Sequence, residues 1–120
     1  MQLESAKYLE DIRETGRTVL QAIAGRKLDD YLRDKVLRLA VERCFEIIGE
    51  ALRRLDERDH ETASRITDFK RIIGFRNILV HGYSIVKHDR VWSIVENQLP
   101  TLLAEVEALL YVPPGDVERH

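Results

Sequence analysis

The chain has 120 residues, of which 44% are hydrophobic and 33% charged, and this balance fits one soluble, helix-rich domain and excludes a disordered chain. Its formal net charge of −2 excludes a uniformly basic surface, so any contact with nucleic acid must come from a local site. One cysteine excludes an internal disulfide. The lack of about 18 consecutive apolar residues, and of a signal-peptide pattern, predicts a cytoplasmic protein with no membrane span.

Two helices are predicted in the first half of the chain. Apolar residues recur every three or four positions over residues 2–24, which predicts a first helix that ends at Gly25. A second helix is predicted from a cap at Asp29 or Asp30 to about Arg58, a length of roughly 28 residues. Its apolar stripe is wide enough to contact more than one neighbour. The stripe consists of Leu37, Val41, Cys44, Ile48, Ala51 and Leu55, widened on one side by Val36, Ala40 and Ile47.

The second half of the chain predicts two more helices. A polar link at residues 59–62 is followed by a third helix over about residues 64–80 and by a loop over residues 83–88. A fourth helix is predicted over about residues 89–110, with Pro100 inside it. Because proline lacks the backbone N–H and its ring clashes with the preceding turn, Pro100 is expected to kink this helix or to split it in two.

These elements together predict an all-α fold, an up-and-down bundle of four or five helices, as one domain over residues 1–112. Residues 113–120 are predicted as a flexible C-terminal tail. The acids Glu42, Glu46 and Glu50 share a helix face but have no partnering histidine. No metal or cofactor is predicted, because the scattered histidines lack metal-ligand spacing and are expected to be solvated. These histidines are His60, His88 and His120.

The third predicted helix carries an arginine in the middle of its apolar face. At about 100° per residue, Ile72 and Leu79 lie within about 60° of Arg76. A guanidinium is rarely buried without a partner. Either Arg76 forms an ion pair with an acid of the second helix, Glu46 or Glu50, or the face is a cleft or subunit interface where an anion binds.

A histidine follows this arginine five residues later, just before Gly82 ends the helix. On a straight helix the side chains of Arg76 and His81 would point about 140° apart, so they would not converge on one atom. Either the last turn loosens, or two copies of the segment meet across a two-fold axis and share one site. A third interpretation makes His81 only a residue that favours the negative end of the helix dipole.

Arginine and histidine together suit metal-free cleavage of RNA. A histidine that titrates near neutrality accepts the proton of a ribose 2′-hydroxyl. An arginine binds two phosphate oxygens and stabilises the charge that develops in the transition state. Because the attacking hydroxyl belongs to the RNA, no metal ion or protein nucleophile is required.

The segment Arg76–Tyr83 resembles the Arg-x4-His-x-Tyr signature of the HepT-type toxins of the HEPN superfamily. Three further blocks are similar to blocks of that family in the same order along the chain. They are Tyr8–Ile12 in the first helix, Arg43–Ala51 in the second and Trp92–Pro100 in the last. The resemblance therefore spans nearly the whole chain.

The resemblance implies a HEPN-type helical homodimer with its active-site cleft at the subunit interface. It implies a ribonuclease toxin of a type VII toxin–antitoxin system, with Arg76 and His81 catalytic and Asn77 supporting. It further implies that a MntA-like nucleotidyltransferase antitoxin transfers AMP to Tyr83. The added charge and bulk would then lie near the place where Arg76 binds an RNA phosphate.

Two other functions remain open at this stage. The chain could be a non-catalytic HEPN subunit that presents a nucleotide or a substrate to a minimal nucleotidyltransferase. It could also be a purely structural helical adaptor, in which Arg76 only forms an ion pair and Tyr83 only packs in a turn.

Overall fold

A computed structural model of the chain describes residues 1–111, and at Tyr83 it describes the backbone alone. All regular structure in this range is helical, which confirms the all-α prediction. None of the helices in residues 1–111 is long and apolar enough to cross a membrane. The tail predicted over residues 113–120, with His120, lies outside the described residues. The elements in chain order are α1 (Leu3–Ile23), α2 (Leu28–Arg33), α3 (Lys35–Arg58), α4 (His60–Ala63), α5 (Phe69–His81), a single 3-10 turn (Tyr83–Ile85), α6 (His88–Asn97) and α7 (Leu99–Leu110).

The second predicted helix is in fact two helices, α2 and α3, which meet at Asp34. The backbone of Asp34 is extended, and its carboxylate caps α3 by accepting a hydrogen bond of 3.0 Å from the backbone N–H of Leu37. This bond lowers the pKa of the Asp34 carboxyl below its usual value. The prediction of one helix capped at Asp29 or Asp30 was therefore wrong. The helical pattern continues across Asp34, but this acid starts a new helix.

The third predicted helix begins later than expected. Residues 64–68 form turns, and α5 starts at Phe69. The predicted polar link contains the short helix α4, capped by the carboxylate of Asp59. This carboxylate accepts hydrogen bonds from the backbone N–H of Thr62 at 3.2 Å and from its hydroxyl at 2.7 Å. It also accepts a bond of 2.7 Å from the hydroxyl of Ser5, so Asp59 ties α4 to α1.

The split at Pro100 is confirmed. Gln98 separates α6 from α7, and Pro100 lies in the first turn of α7, where the missing N–H has no helical acceptor in any case. The predicted loop over residues 83–88 is confirmed in outline, since it contains only a single 3-10 turn before α6 begins at His88.

Helix α3 is the centre of the bundle. It packs against α1 on one side and α5 on another, while α7 covers α1 and α2 contacts α6. The predicted contact of this helix with more than one neighbour is thus confirmed, but through different residues. Val36 is 78% exposed, and Ala40 and Ile47 are exposed as well. The side chains with almost no exposure include Leu9, Ile12, Tyr31, Val41, Phe45, Ile48, Leu52, Leu55, Ile66, Val91 and Leu99.

Candidate active site

The contact between α3 and α5 brings Arg76 onto a glycine. A Cβ atom built on Gly49 would lie 2.2 Å from the Cβ of Arg76 and 2.7 Å from its Cγ. Real carbon atoms do not approach this closely, so only glycine lets the two helices meet at this point. As a result the side chain of Arg76 is only 19% exposed.

Arg76 is held by two polar partners. Its Nη2 lies 3.0 Å from Oε2 of Glu50, and its Nη1 donates a hydrogen bond of 2.9 Å to Oδ1 of Asn77. The ion pair with Glu50 confirms one of the two acids expected from the sequence. The other acid, Glu46, pairs with Arg43 instead. The Nε of Arg76 is buried and donates no hydrogen bond to any described residue.

The carboxylate of Glu50 is shared by three arginines. Its Oε1 lies 2.6 Å from Nη2 of Arg53 and 3.7 Å from Nε of Arg54, while its Oε2 binds Arg76. Burial alone would raise the pKa of this carboxyl, but the hydrogen bond from Arg53 and the charges of the three arginines outweigh burial and lower it. Glu50 is therefore ionised at neutral pH and fixes the guanidinium of Arg76.

A groove of about 510 Å³ opens beside Arg76, between α1, α3 and α5. We call it the Arg76 groove. Lys7 and Tyr8 line it from α1, Arg43 and Arg54 from α3, and Val80 from α5, together with several acids. The sequence left an acid partner and a cleft open as alternatives for Arg76, and the structure has both at once.

His81 does not line the Arg76 groove. It is the last residue of α5 and is exposed, and its ring makes no hydrogen bond with any side chain that the structure describes. The backbone N–H of Gly82 donates to the carbonyl of Ile78 at 2.8 Å, so α5 stays regular through His81. The loosened last turn, one of the two ways to bring Arg76 and His81 together, is therefore not present in this chain.

The two other predicted site residues are Asn77, which lies between Arg76 and His81, and Tyr83, which follows them. Asn77 is exposed and holds Arg76 as described above. Tyr83 lies in the 3-10 turn directly after α5. The backbone thus places Tyr83 two residues beyond His81, and its modification stays a prediction.

A second polar pair lies on another side of α3, where sequence reasoning missed it. Glu42 is 3% exposed, and its Oε2 lies 3.8 Å from Nδ1 of His88 at the start of α6. Burial raises the pKa of the Glu42 carboxyl, and the charges of His88 and Arg38 only partly offset this increase. The expectation that His88 is solvated holds only in part: its side chain is 37% exposed, but its Nδ1 is buried without a hydrogen bond to any described residue. Across residues 1–111 no cluster of three or more His, Cys, Asp or Glu side chains could hold a metal ion.

Comparison with known proteins decides the family. A sequence model described as "Ribonuclease HepT-like" matches residues 6–109. The chain belongs to the HepT-like ribonuclease family.

Relatives of this HepT-like chain carry ribonuclease names. It is 33% identical over 100 residues to a protein of Methanocaldococcus jannaschii named as a candidate RNase, covering 83% of this chain and 91% of the relative. It is 32% identical over 103 residues to another such protein from Caldanaerobacter subterraneus, covering 86% and 91%. A protein of Thermococcus cleftensis named "Probable ribonuclease HepT" is 30% identical over 102 residues, covering 85% and 92%. No solved structure matches the chain.

The packing role of Gly49 in this HepT-like chain was not predicted, although the sequence contains a signal for it. A glycine in the middle of a long helix costs about 1 kcal/mol relative to alanine and therefore usually has a packing reason. Gly49 stands in the block Arg43–Ala51 that carried part of the family resemblance. Its place directly before Glu50 could have predicted that α3 meets another helix there.

Proposed function

We propose that this chain is a metal-independent ribonuclease that works in the cytoplasm, with Arg76 as the phosphate-binding group and His81 as the group that moves the proton. The observation that carries the proposal is the guanidinium of Arg76, largely buried and fixed by Glu50 and Asn77 at the edge of a groove. Those two contacts use two of its five N–H donors, which leaves others for phosphate oxygens. A fixed fork of this kind stabilises a phosphorane-like transition state without reorganising.

The reaction follows from these two groups and the RNA itself. His81 accepts the proton of a ribose 2′-hydroxyl, and the 2′-oxygen attacks the adjacent phosphorus. The bond from phosphorus to the 5′-oxygen of the next nucleotide breaks, this oxygen takes up a proton from water, and His81 returns its own proton to the solvent. The products are a 2′,3′-cyclic phosphate and a 5′-hydroxyl end, and DNA is resistant because it lacks the attacking hydroxyl.

The site is proposed to form between two copies of the chain. Because α5 is regular through His81, the side chains of Arg76 and His81 diverge by about 140° within one copy. A homodimer related by a two-fold axis brings Arg76 of one copy to His81 of its partner, and it builds two such sites. This arrangement also explains why His81 is exposed in the single chain.

Mixing two inactive variants tests both the residues and the shared site. Arg76→Ala and His81→Ala are each expected to be inactive in the presence of EDTA. If the variants are mixed and allowed to exchange subunits, about half of the dimers are mixed, and each of these has one intact site, so about a quarter of the wild-type activity should return. Recovery of no activity, despite subunit exchange shown by native mass spectrometry, would refute the shared site. Full cleavage by His81→Ala alone would remove the proposed mechanism.

A conservative variant separates charge from geometry at Arg76. Arg76→Lys keeps the positive charge but loses the planar fork, so cleavage is expected to fall by about 100-fold while the protein remains folded. The rate of cleavage of a labelled RNA, together with the circular dichroism of the variant, measures both effects. A variant with the wild-type rate would show that the positive charge suffices at this position and that the planar fork is not required.

We further propose that the chain is the toxin of a type VII toxin–antitoxin pair and is silenced at Tyr83. The tyrosine oxygen attacks the α-phosphorus of ATP on a MntA-like nucleotidyltransferase, the bond to the β-phosphate breaks, and pyrophosphate leaves. The position of Tyr83, two residues after His81, supports this proposal, since AMP there adds negative charge near the phosphate-binding site.

The intact mass of the protein tests this regulation. Protein made together with the transferase should gain about 329 Da, the mass of one AMP unit, and should lose its nuclease activity. Tyr83→Phe made in the same way should show no gain and should remain toxic to the cell. An unchanged mass of the wild-type chain would contradict the proposal.

One alternative is favoured by the position of His81 outside the Arg76 groove. In that case the chain is a non-catalytic subunit, and the groove holds a nucleotide or substrate for the transferase. A pure dimer that binds ATP but leaves every RNA intact would support this alternative.

A further inference from the structure

A second groove lies on the other side of α5. It has a volume of about 780 Å³ and runs between α5, the turn at residues 83–85 and α6. We call it the α5–α6 groove. Its apolar floor is formed by Phe75, Ile78, Ile85 and Ile94. Ile85 is 68% exposed, so the apolar floor is accessible to a ligand. The half-buried ring of Phe75 packs on Phe45 of the core, with 5.6 Å between the ring centroids, and this contact holds Phe75 in place.

The rim of this groove is basic. Arg71, Lys87 and Arg90 line it, and no acidic residue does. None of the three forms an ion pair with a described residue, although the chain has a net charge of −2. Cations concentrated without counter-ions on a protein of negative net charge indicate a place where an anion binds. The contrast is with the arginines that do pair with acids, namely Arg17, Arg26, Arg43, Arg53, Arg54, Arg58, Arg65 and Arg76.

His81 does not line this groove, but it shares the face of α5 that borders it. Gly74 and Ile78 both line the groove. On a regular helix they lie within about 20° and 60° of His81, respectively, whereas Arg76 lies about 160° from Gly74. The proton-transferring residue of the proposed reaction therefore lies on the side of α5 that faces the α5–α6 groove, and not on the side that carries Arg76.

We propose that the α5–α6 groove binds an unpaired nucleotide of the RNA next to the link that is cleaved. The base lies on the apolar floor, and the flanking phosphates contact Arg71, Lys87 and Arg90. This assignment rests on the proposed ribonuclease function for its substrate class. It makes the enzyme specific for unpaired RNA, because a base within a duplex is stacked and does not expose its face to such a floor.

A second copy of the chain fits this surface less well than RNA does. A symmetric contact through the groove would bring two sets of unpaired cations together, and like charges across an interface oppose association. A polyanion with apolar base faces satisfies both the rim and the floor.

Binding without cleavage tests the proposal. In the His81→Ala background, a fluorescently labelled, unpaired RNA oligonucleotide is titrated at several salt concentrations and its anisotropy is measured. The plot of log affinity against log salt has a negative slope, and Arg71→Gln and Arg90→Gln should each make it about 0.7 less steep. This change corresponds to about fivefold weaker binding at 0.1 M salt. The control is Arg33→Gln, which removes an exposed cation of α2 outside the groove and should leave the slope unchanged.

A variant of the floor and a duplex complete the test. Ile85→Gln should weaken binding of the oligonucleotide without changing the salt slope, and a duplex of the same sequence should bind more weakly than the single strand. The proposal is overturned if Arg71→Gln and Arg90→Gln behave like the control. It is also overturned if they lower the molar mass in solution, because the groove would then be an interface between copies.

These outcomes are distinguishable from failure of the nuclease function. If the oligonucleotide binds with the expected slopes but the wild-type chain leaves RNA intact, the nuclease proposal fails and the groove stands. If the wild-type chain cleaves RNA but the slopes do not change, only the groove proposal fails.

Discussion

Replacing Gly49 by alanine tests the claim that α3 and α5 meet too closely for any side chain. The new Cβ would lie 2.2 Å from the Cβ of Arg76, an atom fixed to the backbone that cannot move away by rotation. Ordinary carbon contacts are about 3.5–4.0 Å, so the helices must separate by more than about 1 Å. Overpacking of this kind costs about 1–3 kcal/mol, while alanine in a helix recovers about 1 kcal/mol relative to glycine. We expect a net loss of about 0–2 kcal/mol in the free energy of unfolding.

The matched control is Gly74→Ala on α5. A Cβ at Gly74 has no atom within 4 Å, and this glycine has no positive φ. The control variant should therefore gain about 0.5–1 kcal/mol from its helix propensity alone. Unfolding in urea at pH 7, monitored by circular dichroism, measures both variants, and the expected difference between them is about 1–3 kcal/mol.

Activity adds a second measurement to the same variant. Moving α5 displaces Arg76, and a shift of about 1 Å of a positioning group lowers a rate by up to about 100-fold. The cleavage rate of Gly49→Ala should therefore fall by far more than its small loss of folded protein explains. If Gly49→Ala is as stabilising as Gly74→Ala, the close approach is not a constraint and this reasoning is refuted.

Three further substitutions give separate checks. Asp59→Ala should lower the free energy of unfolding by about 1 kcal/mol at neutral pH, because it removes the cap of α4 and its bonds to Thr62. Because the pKa of Asp59 is lowered, first by the Thr62 hydroxyl, this difference should narrow in acid as the carboxylate becomes protonated, which a urea series from pH 7 to pH 2 measures. Glu42→Gln should become more stable relative to the wild type as the pH rises, because burial raises the pKa of Glu42 and the wild type loses stability when this carboxyl ionises. A difference in the free energy of unfolding that stays constant from pH 4 to pH 8 would contradict this reasoning. Glu50→Gln should lower the cleavage rate by roughly tenfold, because the guanidinium of Arg76 loses its anionic partner, and an unchanged rate would show that Glu50 does not position it.

The elements with the clearest periodicity were predictable from the sequence. The first helix follows from residue spacing. The split at Pro100 and the ion pair of Arg76 with an acid of α3 were each one of two alternatives that the sequence left open. The break at Asp34 was missed because three acids within six residues could each cap a helix, and spacing does not choose among them. The late start of α5 was missed because Ile66 and Phe69 keep an apolar spacing of three through a segment that forms turns.

The parts of the site that depend on a neighbouring helix were less predictable. The helical wheel predicted that the side chains of Arg76 and His81 point in different directions, and the regular backbone of α5 agrees with this prediction. It did not reveal that Glu42 is buried against His88, because the partner comes from α6, about 45 residues along the chain. A pattern along one helix fixes which residues share a face, but the element that covers that face is set by the tertiary fold.

The pairing of so many arginines with acids shapes how the molecule meets a charged polymer. A guanidinium beside a carboxylate produces little field beyond the Debye length of about 8 Å at physiological salt. At longer range, the cations Arg71, Lys87 and Arg90, which have no ion-pair partner among the described residues, form a local positive patch, while the rest of the chain carries an excess of acids. The field of an approaching polyanion would orient the protein before contact, so that this patch meets the polyanion first. Encounters in other orientations would be less frequent. Added salt abolishes this alignment even where every contact in the folded chain is unchanged.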